Sequence, residues 1–183
     1  MSEQTEVRSA WTAIASGYDE HVTPANMAIA EAALQRAGLG PDVRLLDVAA
    51  GSGALSIPAA RTGAEVLATD VSPAMVERLE RRASDEELSN LEARVMDGQA
   101  LELEDDTFDV AASQFGVMLF PDLPRGLAEM VRVTKPGGRV LLVTMGPPED
   151  VEFLRFFLGA VEATVPDFPG LPTDPPPLAF QVA

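Results

Sequence analysis

The sequence predicts an α/β fold, a mainly parallel sheet in three layers with helices on both faces and N-terminal helices as a lid. Three observations predict it. From Val43 onward short apolar runs alternate with longer amphipathic ones, the pattern of repeated strand–helix units. Three of those runs end on or beside an acid, Asp47, Asp70 and Asp97, and the first leads into the small-residue turn Ala49-Ala50-Gly51-Ser52-Gly53. The 183 residues, 46% hydrophobic and 23% charged, suit one domain with a sizeable core.

In chain order, Val7, Trp11 and Ile14 are spaced for one helical face, followed by a break at Gly17; Met27, Ala30, Leu34 and Ala37 form the face of a second helix that Gly38 and Gly40-Pro41 end. Strands are expected near 43–48, 65–69, 91–96, 108–113 and 139–144, with helices near 54–62, 73–84 and 123–133. Pro58 should delete a backbone hydrogen bond in the first of these helices and bend its entry. In the second, Ser72 is placed to cap and Pro73 suits the first helical position, with Met75, Val76, Leu79 and Ala83 as the buried stripe. In the third, Asp122 caps, Leu127, Met130 and Val131 face inward, and Arg125, Glu129 and Arg132 face water. Two apolar stripes follow, Val151-Leu154-Leu158-Val161 and Phe153-Phe156-Phe157-Ala160, on a helix that wants burial on most sides; the proline-rich stretch after it reads as extended.

A net charge of −16 repels nucleic-acid phosphates and anionic membrane surfaces, so no nucleic-acid partner is expected. There is no cysteine and one histidine, His21, which removes disulfides, thiolate nucleophiles and histidine- or cysteine-rich metal sites; no metal is expected. No basic segment leads into an apolar stretch at the N-terminus and no apolar run is long enough to span a bilayer, which reads as cytoplasmic without a membrane span.

The chemistry concentrates at the strand ends. In an open parallel sheet ligands sit at the carboxyl ends of the strands where the strand order reverses. Gly51 and Gly53 allow close approach of backbone to a ligand, although a glycine pair alone is equally a tight turn that needs small residues. Asp70, ending LATD, is placed to accept hydrogen bonds from both ribose hydroxyls or to cap the next helix; Asp97, ending ARVMD before Gly98, is a second ligand acid or a solvated turn residue. Sheet packing requires no acid at any of the three positions, and together they describe a crevice for a nucleoside. A nicotinamide dinucleotide is the rival ligand. Its fingerprint G-x-G-x-x-G/A meets Ser56 at the last position, and Asp47 beside the turn matches a pyrophosphate poorly.

With LLDVAAGSG, LATDVSPAMVERLERRA, VMDGQALELEDDTFDVAASQFGVMLFPD and EMVRVTKPGGRVLLVT in that order, the chain resembles the class I S-adenosylmethionine-dependent methyltransferases, within them the branch that methylates small molecules. The resemblance runs from about Val7 to the phenylalanine-rich helix. It implies a Rossmann-like domain over residues 1–183, with the lid at 1–40, the cofactor-binding core at 41–146 and a substrate-side helix with a proline-rich tail at 147–183. It implies S-adenosylmethionine as cofactor and S-adenosylhomocysteine as product. Asp47, Ala49, Gly51 and Gly53 would line the methionine part; Asp70 would bind the ribose, with Val71 and Met75 packed on adenine or ribose; Asp97 and Gly98 would receive the adenine amino group; Ser113, Gln114 and Phe115 would border cofactor and acceptor. Thr134-Lys135-Pro136-Gly137-Gly138 looks like a structural turn into the fifth strand.

Two features depart from the family. Ala49 stands where the pattern D-x-G-x-G-x-G has its first glycine, a mild change if the backbone there does not need positive φ. The chain also stops at Phe180-Gln181-Val182-Ala183, where such enzymes continue; this reads as a truncation that leaves the fifth strand and the Phe153 helix uncovered and favours a homodimer. Methyl transfer by direct displacement demands no acid or base of its own; Tyr18 and His21 are the N-terminal candidates for a base, though a packing tyrosine and a surface histidine are the simpler reading. The alternatives to an active enzyme are a cofactor-binding but catalytically incomplete module and, further off, an NAD-binding oxidoreductase.

Overall fold

The computed structural model describes residues 3–146 and 150–165. Two helices, α1 (Glu3–His21) and α2 (Thr23–Leu34), precede an alternation of β1 (Arg44–Val48), α3 (Ser56–Arg61), β2 (Glu65–Asp70), α4 (Pro73–Asp85), β3 (Leu91–Val95), β4 (Phe108–Gln114), a 3-10 turn (Val117–Leu119), α5 (Leu123–Val133), β5 (Thr134–Val143) and α6 (Glu152–Thr164). The five strands form one parallel sheet in the order β3-β2-β1-β4-β5. The chain builds β1, β2 and β3 toward one edge and then returns to place β4 on the other side of β1. The order therefore reverses between β1 and β4, and the loops leaving those two strands diverge and open a crevice.

Side-chain alternation assigns the two faces. Leu45, Val66, Val110 and Ala112 pack with Ala30, Leu34, Leu55 and Ala59 on the face covered by α2 and α3; Leu46, Val48 and Ala111 pack with Met130 and Val133 of α5 on the other. In α4 the expected stripe Met75, Val76, Leu79 and Ala83 is the buried one, and the Ser72 hydroxyl accepts from the Met75 amide as its cap.

Several expectations are corrected. α1 runs through Gly17 to His21, because an exposed mid-helix glycine costs only about 1 kcal/mol, too little to end a helix. The break falls at Val22, where Pro24 at the start of α2 has no N–H to continue the ladder. The inward residues of α1 are Val7, Trp11, Ala15 and Tyr18, whereas Ile14, expected on the same face, is 51% exposed. Pro58 falls in the first turn of α3, where the Ile57 amide donates to Gly53 and the Ala59 amide to Leu55, so the proline omits the bond between them and the helix continues past it. In α5 the core takes Gly126, Met130 and Val133, one helical face, while Val131 is 62% exposed. Glu129 and Arg132 do more than face water: Arg132 donates to the carbonyls of Leu101 (2.9 Å) and Leu103 (2.8 Å), and Glu129 accepts from the Leu101 amide at 2.7 Å, pinning the segment before β4. The Thr134–Gly138 turn appears as a bulge inside β5. Register passes from Phe108 opposite Thr134 to Val110 opposite Arg139, with Gly137 at φ 80° in the extra loop. The expected proline-rich tail lies outside the described residues.

α1 lies against α4, and α2 against α3 and β5. α2 packs through Ala30 and Leu34 into the core, and both helices add polar contacts. Asp19 accepts from Arg82 and from Arg78 at 3.5 Å, Thr12 and Ser72 share a hydroxyl bond of 3.0 Å, Thr23 and Ser52 one of 2.6 Å, and Arg139 donates to the Ala37 carbonyl at 2.7 Å. Asp19→Ala, which removes one acid from two arginines, is expected to lower stability by about 1–2 kcal/mol. Native-state amide exchange should quicken in α1 and leave β1, β2 and β4 protected; uniform acceleration would mean that α1 is not separately anchored.

Candidate functional site

At the carboxyl ends of the strands, below α1, lies a cavity of about 330 Å³. Its floor is the turn after β1. Ala49 (φ 57°), Gly51 (φ 56°) and Gly53 (φ 97°) all have left-handed backbone, so the condition for Ala49 to be a mild replacement of glycine is not met. An alanine there carries about 1–2 kcal/mol of strain. Phe115 at the end of β4 has φ 56° as well, so strained non-glycine residues flank the switch point on both strands.

Asp70 organises the next wall. Its carboxylate is buried, with Oδ2 accepting from the Gly51 amide at 2.9 Å and Oδ1 from the Ser72 amide at 2.8 Å. Burial pushes its pKa up, and the two amides oppose that shift. The Asp70 carbonyl also accepts from Met96 at 2.9 Å, which brings the end of β3 alongside. Asp97 Oδ1 accepts from the Gln99 amide at 3.0 Å, and Gln99 Oε1 accepts in turn from the Asp122 amide at 2.8 Å, at the cap of α5. Gly98 belongs at this corner because a Cβ there would meet Phe120 at 2.5 Å and Val48 at 2.7 Å.

The structure brings Ala49, Gly51, Asp70, Val71, Met75, Asp97, Gly98, Gln114 and Phe115 to the cavity wall, together with Tyr18. The remaining candidates lie elsewhere. Gly53 packs under the turn, where an added Cβ would stand 3.1 Å from Ile57 and Leu79. Ser113 is fully buried, donating to the Val48 carbonyl at 2.7 Å and accepting from the Val117 amide at 3.0 Å, so it ties β4 to β1. His21 projects into solvent with its side chain 72% exposed, which removes it as a base for this cavity. Tyr18 is held up in pKa by burial and stays a neutral phenol; its ring meets Trp11 edge-on at 5.9 Å.

Asp47 also lies beneath the turn rather than in the cavity. It is buried, Oδ2 accepts from Ser56 at 2.5 Å, Oδ1 has no hydrogen-bond partner in the protein, and burial raises its pKa to about 7. Sequence reasoning missed Trp11 as a wall residue, along with Met96, Leu119, Phe120, Pro121 and Arg125. The Trp11–Tyr18 helical spacing was a usable signal; the segment after β4 has no periodicity that marks which residues turn toward the crevice.

Residues 46–142, more than half of the chain and running from within β1 to within β5, match the family described as Methyltransferase domain. The chain belongs to this methyltransferase-domain family. Among curated relatives of the domain, an uncharacterized protein of Mycobacterium tuberculosis is 42% identical over 145 residues, covering 79% of this chain and 50% of its own length. A demethylmenaquinone methyltransferase of Renibacterium salmoninarum is 38% identical over 111 residues, 61% of this chain and 45% of the relative. The chain thus spans about half the length of the curated relatives it matches. Of solved methyltransferase-domain structures, an arsenic(III) S-adenosylmethionine methyltransferase from Chlamydomonas reinhardtii superposes with a TM-score of 0.53 at 32% identity, covering 58% of this chain and 39% of that one. The [4+2]-cyclase SpnF superposes at 0.59 and 28% identity, covering 62% and 43%.

Two predictions follow from the geometry of the turn. A methyl added at Gly116 would lie 2.5 Å from the Ala49 methyl, 3.0 Å from the Ala49 carbonyl and 3.0 Å from Ser113 Oγ. Ala49→Gly is expected to change stability by less than about 1 kcal/mol, relief of left-handed strain offsetting the looser unfolded chain. Gly116→Ala should be clearly destabilising, and less so in the Ala49→Gly background, with a coupling of about 0.5–3 kcal/mol in a urea double-mutant cycle. Additive effects would mean that the two methyls do not meet.

The second concerns Asp47, whose unfolded carboxyl titrates near 3.9 and whose folded value is about 7. Between these values the folded state binds more protons than the unfolded, so stability falls as pH rises through the window. Asp47→Asn should flatten the dependence of Tm on pH between about 4 and about 7. An unchanged slope would place the proton uptake elsewhere.

Proposed function

We propose that this chain carries the cofactor site of an S-adenosylmethionine-dependent methyltransferase that moves a methyl group to a small-molecule acceptor by direct displacement. The observation that carries this reading is the Asp70 carboxylate, set into the cavity wall at the end of β2 and fixed by two backbone amides. Each of its oxygens keeps a lone pair for a ribose hydroxyl. The residues present fit the cofactor: a cavity of about 330 Å³ is of ligand size, Gly51 presents bare backbone, and Asp97 with Gly98 stands at the far corner for the adenine. Val71 and Met75 would pack on the nucleoside, and the Ala49–Gly51 turn would support the amino-acid end. The bound cofactor supplies an electrophilic methyl on a sulfonium.

The protein's part in such a displacement is alignment and exclusion of water. Trp11 and Tyr18 of α1 close the cavity from above, and holding both reactants in line contributes on the order of 7–11 kcal/mol. A neutral Tyr18 serves there as a hydrogen-bond donor and not as a base. The demethylmenaquinone methyltransferase among the relatives favours a small, largely apolar acceptor, as do Leu119, Phe120 and Pro121 in the wall.

A cofactor-binding module that does not complete the reaction is the second reading, favoured by the cyclase among the similar structures. Transfer of a labelled methyl group from S-adenosylmethionine to a panel of phenols and quinols separates the two. Trp11 is the single tryptophan and lines the cavity, so its fluorescence reports binding directly. Asp70→Ala removes charge-assisted hydrogen bonds and should weaken S-adenosylmethionine binding at least about tenfold. An unchanged affinity would remove the ribose role from Asp70.

A further inference from the structure

Gln99 stands where the loop after β3 meets the start of α5, and its side-chain amide spans the two. Its backbone N–H donates to Asp97 Oδ1 at 3.0 Å and its Nε2 to the same oxygen at 3.4 Å, while its Oε1 accepts from the Asp122 amide at 2.8 Å. The Ala100 amide donates to the Asp97 carbonyl at 3.0 Å and closes the turn. That turn fixes the carboxylate only against its own backbone. The Gln99 side chain fixes the turn against α5, and Asp97, Gln99 and Asp122 all line the cavity.

The start of α5 explains what the glutamine supplies. Asp122 is the N-cap and accepts from the Arg125 amide at 3.1 Å. In a full capping box the residue three positions after the cap, a glutamate or glutamine, accepts the cap's own amide in return. That residue here is Arg125, whose side chain carries only donors. Gln99 provides the acceptor from another part of the chain. Phe120 joins the same pieces, because its ring occupies the space that a side chain at either Gly98 or Gly126 would need. The acid after β3 and the helix after β4 are thus held as one piece, with Gln99 as the polar joint.

We propose that Gln99 is a positioning residue for the base: by holding the Asp97 turn on the cap of α5, it sets the carboxylate where it accepts the amino hydrogens of a 6-aminopurine and opposes a 6-oxopurine. The proposal rests on the methyltransferase reading above, which puts the adenine at Asp97 and Gly98. A carboxylate has lone pairs and no hydrogen to offer, so it attracts an amino group and repels a carbonyl oxygen. A carboxylate free to swing avoids the oxygen at little cost and gives up the amino group as easily. One held from α5 does neither. Gln99 therefore shows in the ratio of affinities for the two bases and not only in the affinity for one.

The test is calorimetric titration of the full chain with S-adenosylhomocysteine and with its 6-oxo analogue, S-inosylhomocysteine. Wild type should prefer the amino form at least about tenfold, since a site built to accept an N–H rejects the analogue that lacks it. Gln99→Met, which keeps the length of the side chain without its hydrogen bonds, and Gln99→Ala should each bring the preference to within about threefold. In an Asp97→Ala background, Gln99→Met should leave the ratio of the two affinities unchanged, because Gln99 acts through that carboxylate. Variants that weaken both ligands equally and keep the wild-type ratio overturn the proposal and leave Gln99 a merely structural joint. A fall in the ratio that is the same with and without Asp97 overturns it as well, as does a wild type with no preference between the bases. If both variants fail to fold, Gln99→Asn, which keeps the amide but is one methylene short of Asp122, decides by the same fall in ratio or its absence. Failure of wild type to bind S-adenosylhomocysteine is a separate result, and it sinks the methyltransferase reading itself.

Discussion

The carboxylate of Asp70 is the constraint on which the site depends. Its two oxygens take the amides of Gly51 and Ser72, and its own carbonyl takes that of Met96, so the loops after β1, β2 and β3 meet at one residue. Without that acid the Gly51 turn would have no partner for its amide and the start of α4 would lose one of its fixed points. The crevice exists because the chain crosses from β3 to β4 on the far side of β1, and Asp70 turns that opening into a wall of defined shape. Its carboxylate is costly to bury, and the structure satisfies it with backbone donors instead of a cation. That leaves its remaining lone pairs available to a ligand.

The N-terminal helices extend the same logic upward. Thr12 reaches the Ser72 hydroxyl, Thr23 the Ser52 hydroxyl and the Asn26 carbonyl the Gln114 amide, so α1 and α2 are anchored on residues in the cavity wall or next to it. Trp11 and Tyr18 close the cavity only because these bonds place α1 over it.

Much of the fold was legible in the sequence where one physical signal acted alone. β1, β2 and α4 lie within a residue or so of their expected places, because the apolar runs, Ser72-Pro73 and the Met75-to-Ala83 stripe all point the same way. The errors have local causes. Ile14 and Val131 are apolar residues at helical spacing that face solvent, and spacing cannot distinguish them from Ala15 and Val133, which are small enough or placed well enough to be buried. Glu129 and Arg132 look like surface charges until the segment they hold is known. At the site, the acids and glycines were readable because their chemistry is specific, whereas the left-handed backbone at Ala49 and Phe115 was not, since neither residue type announces it. Ser113 was read as a wall residue from its place in the motif; its hydroxyl is spent on Val48 and Val117, a tertiary fact.

Membership of the methyltransferase-domain family and the geometry around Asp70 converge on one central claim, that the crevice takes a sulfonium nucleoside and not a dinucleotide. Ser56, at the position where the dinucleotide fingerprint needs glycine or alanine, is buried and bonded to Asp47, so the turn departs from that fingerprint. Calorimetric titration of the 183-residue chain with S-adenosylmethionine, S-adenosylhomocysteine and NAD in parallel tests this most directly. The account predicts saturable binding of the first two and none of NAD. Binding of NAD, or silence with all three from a folded sample, would contradict it.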